Sequence, residues 1–371
     1  MIRLVLLRFV GATLLPVSLF AQSSVRSTEG SPATSVPFRW VMQESGTTAS
    51  LRGIDSVDGK VAWASGSGGT VLRTTDGGEH WMRCATPDAD KDGATLDFRG
   101  VQAWDAQNAV VMASGPGDKS RLYKTSDGCT SWTLALKAQE KESFWDVVAF
   151  QRGDFGFATG DAHTGELIGD PVRGRFETHV MLLGHGWFDT SAGCLSRSNL
   201  GAFAASNSSV FVFGNQRYVL AAGGKSGAYV LLSPLLIGNS DSGPCKSVAV
   251  PIAGANDSSG VFSVFFRDFK HGMIVGGDYQ KPAETKGTAA TTADTGNHWT
   301  ASKKMPHGFR SAVQWSADLK AWITVGTNGS DISHDDGKTW QPVDDGNWNA
   351  LSLPFVVGPK GRIARLRVAD R

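Results

Sequence analysis

Thr74-Thr75-Asp76-Gly77-Gly78-Glu79-His80-Trp81, Thr125-Ser126-Asp127-Gly128-Cys129-Thr130-Ser131-Trp132, Thr292-Ala293-Asp294-Thr295-Gly296-Asn297-His298-Trp299 and Ser333-His334-Asp335-Asp336-Gly337-Lys338-Thr339-Trp340 are four versions of one pattern. A hydroxyl comes first, an acid two residues on, usually a glycine two beyond that, and a tryptophan three further. Self-similarity at a spacing of about 40 to 50 residues marks a propeller or a solenoid, so the pattern bears on the architecture before any single residue does.

Each position has a physical reason. An Asp side chain accepts backbone N–H groups inside a tight turn, a Gly supplies positive φ, and a Trp opens the next strand by burying a large ring. Asp76, Asp127, Asp294 and Asp335, with Trp81, Trp132, Trp299 and Trp340, are therefore read as structural: hairpin turns leading into outer strands. The form resembles the Asp-box, or BNR repeat, of sialidase-like and photosystem-assembly-like propellers.

Upstream of the turns lies a second repeat of strand starts: Leu51-Arg52-Gly53-Ile54, Phe98-Arg99-Gly100-Val101, Phe144-Trp145-Asp146-Val147, Asn199-Leu200-Gly201-Ala202, Val261-Phe262-Ser263-Val264, Phe309-Arg310-Ser311-Ala312 and Trp348-Asn349-Ala350-Leu351. Most lead into an apolar run that ends in Gly, as in Val110-Val111-Met112-Ala113-Ser114-Gly115. The expected fold class is all-β, a seven-bladed β-propeller over residues 38–371. Two blades between Trp132 and Trp299 would carry decayed turns; near Gly184-His185-Gly186-Trp187, Leu182 stands in place of the acid. The last blade lacks a Trp-led outer strand. Phe38-Arg39-Trp40-Val41-Met42-Gln43-Glu44 supplies one from the other end of the chain and closes the ring, which removes exposed sheet edges.

Arg3 and Arg8 flank the start of an apolar stretch from Leu4 to Phe20 that Gly11 and Pro16 interrupt. Residues 1–21 are thus expected to be a secretory signal peptide cleaved near Ala21, residues 22–37 a flexible lead-in, and the mature chain periplasmic or secreted. The 36 basic and 35 acidic residues balance, which gives no general attraction to nucleic acid. Cys84, Cys129, Cys194 and Cys245 permit three disulfide pairings, and repeat order favours Cys84 with Cys129 and Cys194 with Cys245. The histidines show no metal-ligand spacing with these cysteines, and Gly224-Lys225-Ser226 lacks the upstream Gly of a phosphate loop. No metal or cofactor is expected.

In a four-stranded blade the first strand lines the channel, and the turns quoted above lie on the face away from its start. The second position of each start is therefore a candidate for partner binding: Arg52, Arg99, Arg310 and Asn349 as a polar arc, facing Trp145, Leu200 and Phe262 as an apolar one. Three arginines so placed suit a carboxylate or an acidic segment, and pairing with neighbouring blade groups is the alternative. Asp161, His163, Asp278 and Tyr279, expected in loops between second and third strands, are candidate rim residues.

The chain resembles most the photosystem II stability/assembly-factor type of BNR propeller, through its export signal, the Gly66-Ser67-Gly68-Gly69 turn and the four motifs. That resemblance implies a non-catalytic, monomeric platform that binds a protein partner, such as a membrane-complex subunit, through arginines on one face. A sialidase-like glycoside hydrolase, or a propeller that holds an acidic glycan, is the alternative. Against it, Phe38-Arg39 is followed by Trp40-Val41 where sialidases carry Ile-Pro, and none of the four tyrosines has an acid partner evident in sequence.

Overall fold

The computed structural model describes residues 38–139, 141, 143–150, 156–163, 173–182, 186–189, 195–197, 200–213, 217–233 and 245–368, with the strands from 156 to 197 given by their backbone. The signal peptide and lead-in expected over residues 1–37 lie outside these residues, as does Cys194.

The described residues form seven antiparallel sheets. The first runs Leu51–Ser56, Ala62–Gly66, Thr70–Thr74 and Met82–Arg83 from the inside out. The innermost strands of the others are Phe98–Ala103, Trp145–Phe150, Val210–Phe213, Ser259–Phe266, Ala312–Ser316 and Ala350–Ser352. Each innermost strand packs against those of the sheets before and after it, and the seventh packs against the first, so the ring closes. Closure is made by Phe38–Gln43, which pairs with Ile363–Val368 as the outer strand of the seventh sheet. The strand expected to complete the last blade does so, with Trp40 donating from Nε1 to Ser330 Oγ of the sixth sheet at 3.0 Å.

The fold is a β-propeller, but the expected seven blades are corrected to six regular ones. Six sheets are regular and four-stranded; the third has five strands. Its middle hairpin is overgrown, with Gly156–His163 pairing along Arg173–Leu182. One end of Arg173–Leu182 then holds Gly186–Asp189 while the other holds Leu195–Arg197.

Apolar residues fill the space between adjacent sheets. Trp63 of the first sheet lies with Phe98, Val101, Val111 and Tyr123 of the second, all fully buried or nearly so. Phe38, Trp348 and Val356 of the seventh meet Ala312, Ile323 and Val325 of the sixth. Each such side chain contributes about 1.5–3 kcal/mol by leaving water, so the interfaces between sheets hold the ring. Polar latches add to them at the ends of innermost strands. Asp55 Oδ2 accepts the Ala103 N–H at 2.7 Å, the Gln102 amide both gives to and takes from the Phe150 backbone at 2.6 Å, Gln314 accepts from Leu353 N at 2.7 Å, and Ser352 Oγ accepts from Ser56 N at 2.9 Å.

The four turns share one hydrogen-bond pattern. The first hydroxyl donates to the acid and accepts the N–H four residues on, as Thr74 does with Asp76 at 2.8 Å and Gly78 at 2.9 Å. Asp76 then accepts the His80 N–H at 3.0 Å, and His80 Nδ1 lies 2.7 Å from its second oxygen. Ser131, His298 and Thr339 take the place of His80 in the other turns, a role for that position that the sequence did not suggest. Hydrogen bonds hold the Asp127 and Asp294 carboxyls down at about 2; for Asp294 they outweigh the upward push of burial. Two consecutive residues in each turn have positive φ, Gly77 and Gly78 in the first but Gly128 and Cys129 in the second. A side chain at such a position costs about 1–2 kcal/mol, and at Cys129 the cost is set against the disulfide to Cys84 of the first sheet, with Cα atoms 5.3 Å apart. The expected Cys84–Cys129 pair is thus present, and Cys245 is also disulfide-bonded.

Three of the four turn tryptophans donate to a neighbouring sheet, whereas Trp299 donates to Gly296 O of its own turn. Trp81 donates to Gln43, Trp132 to Ala85 O and Trp340 to Ser302, each on the preceding sheet. Trp340 alone of the four is fully buried; Trp81, Trp132 and Trp299 are half-buried, less than a core role requires.

Candidate partner-binding face

The strand starts lie at the end of the ring opposite the four turns. Their ladders slip by one residue, between Leu51 and Gly53, Phe98 and Gly100, Trp145 and Val147, and Val261 and Ser263. The residue inside each bulge is Arg52, Arg99, Asp146 or Phe262. Bulges re-aim a side chain out of the regular pleat, which is why one position of the repeat can be set apart from the strand around it.

Backbone pairing corrects two assignments. Trp145 aligns with Leu51 and Phe98 rather than with their arginines, and it is a fully buried core residue, so it is no contact residue. Two consecutive aromatics, Phe144 and Trp145, fit the sequence repeat in either frame, and backbone pairing selects the second. The bulge position of the third sheet is Asp146, nearly fully buried. In the fourth sheet the expected start at Asn199 lies outside the described residues, Gly201 only bridges Gly223, and the innermost strand begins at Val210. Leu200 is buried.

The arginines divide into two kinds. Arg310 is fully buried and bonded on all sides. Its Nε donates to Asp331 Oδ2 at 2.7 Å, Nη2 also meets Asp331, and Nη1 donates to Asn328 Oδ1 and Phe309 O at 2.6 Å. His307 completes the group, with Nδ1 2.9 Å from Asp331 Oδ1 and Nε2 2.7 Å from Asn328 O. The hydrogen bond to Asp331 raises the His307 pKa against the effect of burial. Arg310 is therefore a structural knot, and its expected part in binding is corrected.

Arg52 and Arg99 instead converge on one acid. Arg52 Nε lies 3.3 Å from Asp97 Oδ1 and Arg99 Nε 2.8 Å from Asp97 Oδ2, with the side chains 32% and 26% exposed. Two guanidinium groups share one carboxylate, which leaves a local excess of positive charge that water reaches. Burial lowers the Arg52 pKa, Asp97 raises it and Arg99 lowers it. Asn349 continues the arc but is committed, donating from Nδ2 to Leu51 O at 2.7 Å across the junction of the seventh and first sheets.

Across the ring, Phe262 stacks on Phe203 with ring centres 3.9 Å apart and meets the edges of Phe309 and Tyr279 at 4.7 and 6.2 Å. Phe262 itself is 2% exposed and is a support, while Tyr279, 47% exposed, carries the aromatic group to the surface. Asp278 is buried; burial raises its pKa, but bonds from Ser258 Oγ at 2.7 Å, Gln280 N and Asn256 outweigh that and lower it, which makes it a loop anchor rather than a rim contact. Asp161 and His163 belong to the strand Gly156–His163 rather than to a loop, and their side chains lie outside what is described. One tyrosine has an acid partner after all, since Tyr123 donates to Asp88 Oδ2 at 2.7 Å beside Arg121. It is nearly fully buried on the third strand of the second sheet, with its ring packed edge-on against Phe98. Among the described residues no group of three or more His, Cys, Asp or Glu side chains is placed to hold a metal ion.

Sequence reading missed Asp97, which joins the two open arginines, and Asp331, which captures the third. A signal existed for the latter. Two residues before the turn hydroxyl, the sixth sheet carries an acid, Asp331, where the first has Leu72 and the second Tyr123.

Comparison with solved structures gives the same architecture. A structure of YCF48 bound to a D1 peptide matches with a TM-score of 0.59 at 14% identity, over 90% of this chain and 96% of that one. YCF48 from Cyanidioschyzon merolae matches with a TM-score of 0.58 at 17% identity, over 89% and 98%. The likeness establishes the propeller fold. The WD40 β-propeller domain of Doa1 is similar to the same degree, with a TM-score of 0.58 at 11% identity over 89% and 97%, so fold likeness alone does not select a task. YCF48 is a photosystem II assembly factor, the type of propeller that the sequence resembles. No protein-family model and no curated protein matches the chain.

Proposed function

We propose that this chain is a non-catalytic propeller that binds an acidic segment of a protein partner during assembly of a membrane complex, acting in the periplasm or outside the cell after loss of residues 1–21. In this reading the five-stranded third sheet is a seventh, elaborated blade, and the four turns are Asp-boxes that serve the ring. The observation that carries the reading is the Arg52–Asp97–Arg99 group: paired, partly exposed guanidinium groups whose single shared carboxylate leaves N–H donors for an incoming one. Tyr279 and the aromatic group beneath it offer apolar surface on the same face. That a similar propeller, YCF48, has a structure with a bound D1 peptide supports a protein ligand over a glycan.

The test is capture of partners from a membrane extract by the wild-type chain and by an Arg52→Ala/Arg99→Ala variant of matched stability. The proposal expects a specific protein retained by the wild type and lost with the variant. The same set of proteins with both would remove this face from consideration.

A further inference from the structure

Among the described residues, the innermost strand of the fourth sheet is the one that carries a long insert. Gly201 lies opposite Gly223 and Val210 opposite Leu220, so one strand spends nine residue steps where its partner spends three. The six extra residues, 203–208, leave the ladder and enter the space enclosed by the innermost strands, as their contacts show. Asn207, at a φ of 57°, accepts the Val148 N–H on Oδ1 at 2.9 Å and donates from Nδ2 to Val101 O at 3.4 Å, bridging the third and second sheets. Ser206 Oγ donates to Ser311 O at 2.8 Å at the sixth sheet. Ser208 Oγ donates to Ser263 Oγ at 2.8 Å, and Ser208 O accepts the Val264 N–H at 2.9 Å, at the fifth.

Four sheets besides its own are thus tied together by Ser206, Asn207 and Ser208. The groups it satisfies belong to innermost strands, which have a sheet neighbour on one side only; their free edges face the channel and need hydrogen-bond partners there. Gly100 makes room for it: a Cβ at that position would fall 2.8 Å from Asn207 Oδ1 and 2.9 Å from Val148.

We infer that the channel of this propeller is a peptide-binding site occupied by the chain's own Phe203–Ser208 segment. At positions 206–208 the site suits small side chains that bear hydroxyl or amide groups, since these reach strand-edge N–H and C=O groups from several directions, while Phe203 stacks on Phe262 at the segment's start. It follows that a partner does not thread the ring. This inference does not rest on the proposed function, because it concerns an internal ligand.

The experiment removes residues 203–208, which joins Ala202 to Ser209 in register, and offers the segment back as a synthetic peptide spanning Phe203 to Val210. The expected result is a folded ring of lower melting temperature that binds the peptide saturably and regains thermal stability, whereas a peptide with Ala in place of Ser206, Asn207 and Ser208 does neither. A folded deletion variant that ignores the peptide would overturn the inference. If the deletion does not fold, Asn207→Ala in the full chain decides by amide hydrogen exchange: the inference expects the Val148 amide to exchange at least ten-fold faster, and an unchanged rate rejects it.

Discussion

Arg310 and the pair Arg52 and Arg99 hold the same place in the repeat and have opposite fates. In the sixth sheet the third strand presents Asp331, fully buried, and Arg310 is drawn inward until none of it meets water. In the first and second sheets Leu72 and Tyr123 stand where Asp331 would be, and the arginines have no acid of their own blade to close on. They share Asp97 from the connection between the two sheets and stay partly exposed. The lesson is that repeat position places a guanidinium near the channel, but the third strand decides whether it serves the fold or remains open to a partner.

The comparison breaks first at Arg310. Arg310→Ala takes the guanidinium away from buried Asp331 and leaves it only the His307 ring, and removing one partner of a buried ion pair costs about 3–5 kcal/mol. Urea unfolding should show that loss, and a change under 1 kcal/mol would put Arg310 in the same class as Arg52. Next in size is the Cys84–Cys129 link between the first and second sheets, which lie under the open pair. Replacing both cysteines with Ser should cost about 2–4 kcal/mol if the closed loop restricts the unfolded chain as such loops usually do. Ser333→Ala then tests the turns: it removes the donor to Asp335 and strands the buried Gly337 N–H, for an expected loss of about 1–3 kcal/mol.

The pH dependence separates the knot from the open site. His307 has a raised folded pKa, so its contribution is complete below 6.5 and disappears as pH rises through that folded value. The melting temperature should decline there and His307→Gln should flatten the decline. The turn acids act at the other end. Asp127 and Asp294 titrate near 2 when folded, so their stabilisation is complete above 3.8 and lost as pH falls toward 2. Asp55 opposes them: burial raises it to about 6 although the Ala103 N–H pulls it down, so its ionisation weakens the fold as pH rises through 6. Asp55→Asn should remove that loss while keeping an acceptor for Ala103. The smallest stability effect belongs to Arg52→Ala/Arg99→Ala, within about 1 kcal/mol because partly exposed ion pairs contribute little.

Much of the fold was legible in the sequence because its signals are local and repeated. A turn that needs a hydroxyl, an acid and residues of positive φ marks itself wherever it occurs, and Trp40 marks the closing strand in the same way. What failed depended on register or on distance. Phe144 and Trp145 are both aromatic, so a one-residue slip left the hydrophobic pattern intact and concealed Asp146. Residues 203–208 look like any small polar loop, and their role depends on contacts with sheets up to about a hundred residues away. The candidate site was legible as a position but not as a state: Arg52, Arg99 and Arg310 were found together, and only the packing around Asp331 and Asp97 tells them apart.

The most direct test is hydrogen exchange at the arginine Nε–H groups, followed by NMR of the chain labelled with nitrogen-15 in arginine. The account predicts that the Arg310 Nε–H, buried and donating to Asp331, is protected far longer than those of Arg52 and Arg99. Rapid exchange at Arg310, or equal protection of all three, would contradict the division of one repeat position into a structural arginine and an open pair.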